Sequence, residues 1–262
     1  MKKYNFVIDI GNTNIVFGLY EDNNQKYLWR CETEKSQDHK FYYRNILDQA
    51  ITLGFDLNNI AKIAVSSVVP SLKDTFTKLV KTKFKCPFIF VDAYTNLGLS
   101  FPMPDPGFVG SDLIVCAFSA LQEHHTNCLI CDFGTATTFQ LVGSDGFFFG
   151  SAIAPGVHTS ANGLFQKASQ LFKIDLSTPA NLLGTSTRDS LLSGIINGNF
   201  FMLEGFIRAI KNEYRHLPGI LTIATGGIAG LICKNSKEID LIDPNLMLDG
   251  LNLICDKMED NA

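Results

Sequence analysis

The 262-residue chain is long for one ordinary domain and suits two lobes. Apolar residues make up 46% of it and charged residues 18%, enough for real cores and too few charges for a disordered chain. A net charge of −4, with no basic stripe interleaved with aromatics, argues against nucleic-acid binding and for a protein that handles small molecules.

The start, MKKYNFVIDIGNTN, places Asp9 inside its apolar run and offers no small-residue cleavage site, which argues against a signal peptide. Nor does any stretch look long and apolar enough to cross a bilayer. Tyr4–Ile10, Ile15–Tyr20 and Tyr27–Cys31 read as a three-stranded meander. A helix follows over His39–Leu53, with Phe41, Ile46, Leu47 and Ala50 at helical spacing and Gly54 as its stop. Ile63–Val69 reads as a buried strand ended by Pro70, Leu72–Lys81 as a helix, and Phe88–Val91 as a strand. Phe101–Gly110 carries three prolines and two glycines, so it is a shaped loop. Ser111–Gln122 then reads as an apolar helix, and the boundary between lobes is expected beside it, dividing the chain into 1–115 and 116–262.

The second half repeats the logic. Strands are expected at Cys128–Asp132, Ala136–Val142 and Phe147–Phe149, and helices over Pro155–Leu171 and Arg188–Tyr214. Ile220–Ala224 is a strand leading through Gly226 and Gly227 into Ile228–Cys233, and Leu246–Met258 is a final helix. Each half opens with an apolar strand that ends in Asp-x-Gly and small polar residues: VIDIGNTNIVF from Val7 and ICDFGTATTFQ from Ile130. Two related lobes, each presenting a strand–turn–strand, account for this repeat.

The seven cysteines are an odd number scattered through apolar runs. Cys128 and Cys131 form one C-x-x-C with no second pair, on an expected strand, so buried reduced thiols and a reducing cytoplasm are the expectation. His39, His124, His125, His158 and His216 follow no metal-ligand spacing, and no Ser-His-Asp arrangement competes.

Three glycine turns could carry chemistry. In Asp9-Ile10-Gly11-Asn12-Thr13-Asn14 a glycine lets backbone N–H groups approach an anion, the neutral side chains add donors, and Asp9 can hold a metal that neutralises a phosphoryl group. An ordinary Asn-containing hairpin is the competing reading. Asp132-Phe133-Gly134-Thr135-Ala136-Thr137-Thr138 offers the same equipment. Gly226-Gly227 after a strand admits a flat ring or ribose, or simply close strand-to-helix packing. Neither G-x-G-x-x-G nor a Walker motif is present.

Together the turns resemble the two phosphate motifs and the adenosine motif of acetate and sugar kinases, heat-shock ATPases and actin. DIGNTN at the start, Trp29-Arg30, SSVVPSL at 66–72, VGSD at 109–112, DFGTATTF at 132–139, AIAPG at 152–156, ATGG at 224–227 and DPNLMLDGL at 243–251 are similar, in order, to the type III pantothenate kinase family. The resemblance implies an α/β, two-lobed actin-like fold with a ribonuclease-H-like repeat and a central nucleotide cleft. It also implies transfer of phosphate from ATP to pantothenate, the first step toward coenzyme A.

Carried over, Asp9, Ile10, Gly11, Asn12, Thr13, Asn14, Ile15 and Val16 would hold the ATP phosphates, with Asp9 nearest Mg2+; Thr135, Gly226 and Gly227 would also contact ATP. Asp132 would bind a monovalent cation, K+ or NH4+. Asp112 matches the proton acceptor, although composition alone reads it as an acid complementing a helix N-terminus. Met103, Gly110, Ser111, Asp112, Leu113 and Thr187 would line the pantothenate site. Leu113 stands where the family pattern has Arg, and Met103 where it has Tyr. A cytoplasmic homodimer is implied, with no membrane or nucleic-acid partner. A nucleotide-binding regulator, like relatives described as accessory factors for toxin transcription, and a kinase for another alcohol or sugar are the alternatives.

Overall fold

The computed structural model describes residues 3–167 and 171–258. The chain forms two compact units. The first takes residues up to Leu99, Met103–Ser119 and those from Leu246 onward; the second takes Ser100–Pro102 and Ala120–Asn245.

In the first unit β1 (Tyr4–Ile10), β2 (Asn14–Glu21) and β3 (Asn24–Glu32) form the meander. After α1 (His39–Leu53) the chain enters β4 (Ile60–Ser67), parallel to β1, and after α2 (Lys73–Lys83) it enters β5 (Phe88–Phe90), parallel to β4. The strand order is β3-β2-β1-β4-β5. Local signals set the bounds of α1. The Asp38 carboxylate accepts from the N–H groups of Lys40 and Phe41, a cap that contributes about 1 kcal/mol. Gly54 ends the helix in the left-handed region at φ 76°, donating its N–H to the Ala50 carbonyl. The buried stripe of α1 is Tyr42, Ile46 and Ala50, at i, i+4, i+8; Phe41 and Leu47, expected to share it, are exposed. That stripe meets one face of the sheet, where Phe6 and Phe17 stack with Trp29 at ring separations of 5.8 and 5.2 Å.

The second unit repeats this plan. α3 (Ser111–His124) leads toward β6 (Cys128–Phe133), β7 (Ala136–Val142) and β8 (Phe148–Pro155), an antiparallel meander. Then come α4 (Val157–Lys167), α5 (Thr187–Glu213), β9 (Leu221–Thr225) parallel to β6, the short α6 (Ala229–Ile232) and β10 (Leu241–Ile242) parallel to β9. The order β8-β7-β6-β9-β10 reproduces that of the first sheet strand for strand. β8 runs six residues past its expected end because residues 150–155 pair with β7. Helix α4 therefore starts after Pro155, and residues 168–170 of the helix expected over Pro155–Leu171 lie outside the described residues.

Two further expectations change. The 27-residue α5 is long and apolar enough to cross a membrane by length and composition, contrary to the sequence reading. It is a core helix: Leu191, Leu192, Ile195, Ile196, Leu203 and Ile207 pack with Leu129, Cys131, Phe133 and Phe139 of the sheet. The last helix, α7 (Leu246–Lys257), belongs to the first unit and not to a lobe spanning 116–262. It packs along β1 and β4, opposite the α1 face of that sheet. Polar contacts secure it: Asn5 Nδ2 donates to Asn252 Oδ1 (2.9 Å) and Asp256 Oδ1 (2.8 Å), and Tyr20 Oη donates to Asp249 Oδ1 (2.6 Å). Gly250 lets α7 touch α3, since a Cβ there would stand 2.9 Å from the Val115 carbonyl.

Candidate active site

In the first unit the site begins at the end of β1. Asp9 opposes Val16, Ile10 opposes Ile15, and the Gly11 N–H closes the turn on the Asn14 carbonyl at 3.0 Å. The turn is braced from β3: Thr33 Oγ1 donates to the Gly11 carbonyl at 2.7 Å, and the Thr33 N–H donates to the Thr13 carbonyl at 3.0 Å. Asn12 and Thr13 stand exposed at the tip, and Lys35 Nζ reaches Asn12 Oδ1 at 3.2 Å. The result is a rigid, exposed turn with one half-buried carboxylate behind it and one ammonium beside it. It suits a polyphosphate, which needs donors and positive charge close to a fixed backbone. A single carboxylate fits a Mg2+ ion that arrives with ATP and takes its other ligands from phosphates and water.

Asp112 lies in the first turn of α3. Its Oδ1 accepts from the Leu113 N–H at 2.8 Å and lies folded back over Gly110, where a Cβ would come within 2.3 Å of it. Glycine at 110 is the room this carboxylate occupies. Burial pushes the Asp112 carboxyl above the usual carboxylate range, while the backbone N–H groups of Leu113 and Asp112 pull it back. A carboxylate raised in this way holds a proton more readily than an exposed one, which suits a group that takes a proton from a substrate hydroxyl. The neighbouring Ser111 hydroxyl accepts from the Ser67 N–H at 2.8 Å and pairs with the Ser66 hydroxyl at 2.9 Å. Ser111 is thus engaged by β4 and buried, although the sequence reading put it on the substrate. The Val68 N–H donates to the Ile10 carbonyl at 3.1 Å, so the strand ends bearing Asp9 and the start of α3 form one bonded group.

Leu113, at the position of the family Arg, is buried at 7% exposed, so an Arg there would lose its hydration. Met103 is half-buried in the loop before Gly110. That loop is pinned where Asp105 accepts from the Tyr94 hydroxyl and from the Gly107 N–H.

In the second unit Asp132 opposes Thr138, and the Gly134 N–H closes its turn on the Ala136 carbonyl at 3.0 Å. The Thr135 carbonyl accepts from the Thr159 hydroxyl at 2.6 Å and from the Gly156 N–H at 3.2 Å. A Cβ on Gly156 would stand 2.4 Å from the Thr135 carbonyl oxygen, so this glycine backs the turn. Gly226, at the end of the neighbouring parallel strand, has φ 94°; a Cβ there would stand 2.6 Å from both Asp132 Oδ1 and the Phe133 carbonyl oxygen. The Gly226-Gly227 turn therefore packs on the Asp132 carboxylate, whereas Gly227 faces open space. Helix α6 behind it has four residues, too short for a strong dipole.

Thr187 opens α5 after the Ser186 cap, whose hydroxyl accepts from the Asp189 N–H. It lines an open cavity of 520 Å³ with Leu164, Leu171, Leu191 and Ile195. Arg188, beside it, pairs with Asp189 at 3.7 Å.

All seven thiols are free. Cys128 and Cys131 point to opposite faces of β6, three residues apart on a strand. Burial pushes the Cys128 thiol up to about 12, and it raises Cys131 too, so both are inert. Sequence reasoning did not single out Thr33 and Lys35, and it met Ser66 and Gly156 only inside the stretches SSVVPSL and AIAPG; the tertiary contacts give each of the four its place.

The profile for type III pantothenate kinase matches residues 5–209. Proteins described as type III pantothenate kinase are 38% identical to the chain in Geotalea daltonii, over 95% of this chain and 96% of that one, and 36% identical in Thermomicrobium roseum, over 96% of each. Among solved structures, a protein from Sinorhizobium meliloti described as a 2-dehydro-3-deoxygalactonokinase shares the fold at a TM-score of 0.58 and 12% identity, over 98% and 99% of the two chains. A Campylobacter jejuni protein described as a Baf family transcriptional activator does so at 0.57 and 18%, over 96% and 98%. The fold is that of actin-like ATPases and sugar kinases, with its α/β plan duplicated in two sheets. With one family profile covering most of its length and relatives above 30% identity aligned almost end to end, the chain belongs to the type III pantothenate kinase family.

Proposed function

We propose that the chain phosphorylates pantothenate with ATP, giving 4′-phosphopantothenate on the way to coenzyme A. The observation that carries this reading is the Asp112 carboxylate, seated over Gly110 and joined through Ser111 to the strand end beside Asp9. Phosphoryl transfer passes through a loose transition state, so the protein's task is to place groups and offset charge. In this reading the turn from Asp9 to Val16 holds the phosphates, with Thr135, Gly226 and Gly227 also on the nucleotide. Asp9 holds Mg2+, which supplies charge neutralisation. Asp112 accepts a hydrogen bond from the acceptor hydroxyl, orients it toward the phosphorus and takes its proton late. Asp132 holds a monovalent cation, K+ or NH4+; its carboxylate at the end of β6, beside the Gly134 turn, supports that assignment.

The acceptor site draws on Met103, Gly110, Leu113 and Thr187, the last beside its 520 Å³ cavity. Exposed Leu164, Phe172, Leu182, Leu183 and Phe201 on the second unit support a homodimer that covers them. Free, shielded thiols support a reducing, cytoplasmic setting.

Coupled ADP release with pantothenate and with a panel of sugars and small alcohols, each in potassium, ammonium or sodium buffer, tests the reading. Release should require pantothenate and should be low in sodium alone. Release driven by a sugar and not by pantothenate overturns the acceptor assignment; equal rates in sodium and potassium overturn the cation assignment.

A further inference from the structure

Two serines stand side by side at the end of β4, and the register of the sheet gives them different tasks. Ser66 aligns with Asp9 and Ser67 with Ile10 on the parallel neighbour β1. Ile10 belongs to the apolar face that receives α1, so Asp9 and Ser66 belong to the opposite face. Aligned positions on neighbouring strands are about 4.8 Å apart, so Ser66 stands next to the proposed metal-bearing carboxylate. Ser66 is fully buried. A buried hydroxyl needs a partner, and that partner is the Ser111 hydroxyl at 2.9 Å. Ser111 in turn accepts the Ser67 N–H at 2.8 Å, a donor at the strand end that would otherwise be unmet.

The consequence falls on the next residue. Asp112 has little freedom: its carboxylate fills the space a Cβ at 110 would take, and its Oδ1 is bonded to the Leu113 N–H. Backbone 110–113 and the carboxylate therefore move together. What holds that backbone to the sheet is the Ser111 hydroxyl, one residue away. A shift of the first turn of α3 carries the carboxylate with it, away from the strand end at Asp9.

We infer that Ser66 is a positioning residue for phosphoryl transfer: through Ser111 it ties the start of α3, and with it the Asp112 carboxylate, to the strand end beside Asp9. The inference rests on Asp112 being the group that meets the acceptor hydroxyl. Ser66 touches neither substrate. It acts on the distance between the acceptor hydroxyl and the phosphorus, a quantity to which rates are steeply sensitive, and leaves the exposed nucleotide turn at 11–14 unaltered.

Ser66→Ala and Ser111→Ala, alone, together and in an Asp112→Asn background, test it by steady-state kinetics and thermal melting. Each single variant should lower kcat about ten- to a hundredfold, the loss a displacement near 1 Å produces. The KM for ATP should stay within about twofold of the parent value, because the nucleotide turn is untouched. The double variant should be no slower than Ser111→Ala alone, since Ser111→Ala already removes the bond to Ser66 along with the one to the Ser67 N–H. In the Asp112→Asn background neither serine change should slow turnover further; a general loosening of the fold would slow both backgrounds alike and overturns the inference. Near-parental kcat in Ser66→Ala overturns it as well. If Ser66→Ala does not fold, Ser111→Ala decides the matter alone, because Ala is well tolerated in a helix. If Asp112→Asn itself is fully active, the underlying assignment of Asp112 fails, an outcome separate from any effect of the serines.

Discussion

The hairpins β1–β2 and β6–β7 occupy the same place in sheets of the same order, and each ends its first strand in Asp-x-Gly. They are stiffened in different ways. The first is braced from β3, where Thr33 bonds both sides of the turn through its hydroxyl and its N–H, and Lys35 stands beside the tip. The second is braced at its Thr135 carbonyl by the Thr159 hydroxyl and the Gly156 N–H, and Gly156 and Gly226 bring main chain into close contact with the turn and with Asp132. One duplicated plan has become a turn with an ammonium beside its exposed tip and a turn, equally exposed at its tip, whose carboxylate has the Gly226 main chain packed on it. The first arrangement suits a polyanion.

The duplication parts further at the helix after the fifth strand. α3 follows β5 and brings Asp112 in its first turn; α7 follows β10 and packs on the first sheet, with its own first-turn acid, Asp249, bonded to Tyr20. Replacing Asp112 with Asn tests this difference most severely. kcat should fall roughly 10²- to 10⁴-fold, the usual contribution of a positioned acid or base. Stability supplies a second readout. The folded state raises the Asp112 carboxyl by burial, so the fold favours the neutral form and stability is lost as pH rises through the folded value. Asn removes that loss. The variant should melt above the parent at neutral pH and level with it below about pH 4, where the parent is already protonated. A lower melting point at neutral pH would show instead that the carboxylate mainly stabilises the start of α3.

A smaller effect tests the two ways of bracing a turn. Gly226→Ala adds a Cβ at φ 94° and 2.6 Å from the Phe133 carbonyl oxygen, so it should cost on the order of 2–4 kcal/mol in urea unfolding and remove most activity. Gly11→Ala places its Cβ 3.0 Å from the Asn14 carbonyl, a contact that a small shift relieves, and should cost about 1 kcal/mol or less. Equal losses in the two variants would contradict the tighter main-chain packing on the second turn.

Much of this arrangement is legible in the sequence, for a physical reason. Strand ends such as Ile8-Asp9-Ile10-Gly11 and Cys131-Asp132-Phe133-Gly134 announce themselves because period-two burial and turn chemistry are local. Other features depend on partners far along the chain. Which of Phe41 and Tyr42 is buried depends on the face α1 turns to the sheet. The strand through residues 150–155 is hidden because the inward positions of its alternation are Ala152 and Ala154 while Ile153 faces out, so residue polarity does not follow the exposure, and only pairing with β7 makes it a strand. Ser66 and Ser67 are indistinguishable until the register with β1 assigns them faces. The docking of α7 on the first sheet, after a run through the second unit, has no local signal either.

Lys35 gives the gentlest test of the comparison. Its Nζ lies 3.2 Å from Asn12 Oδ1 at the tip of the first turn, and the residue is exposed. An exposed charge is strongly screened, so its pull on a phosphate is modest, on the order of 1 kcal/mol or less. Lys35→Ala should therefore raise the KM for ATP about two- to fivefold and leave kcat nearly unchanged, since the charge aids capture and not transfer. The difference between parent and variant should shrink as potassium chloride is raised toward 0.5 M, where screening lengths fall to roughly 4 Å. Lys35→Arg should keep the parental KM, because the charge is kept at similar reach. A fall in kcat with unchanged KM would place Lys35 on the transferring phosphoryl group itself. The first turn would then be part of the chemistry, and its contrast with the second would have to be redrawn.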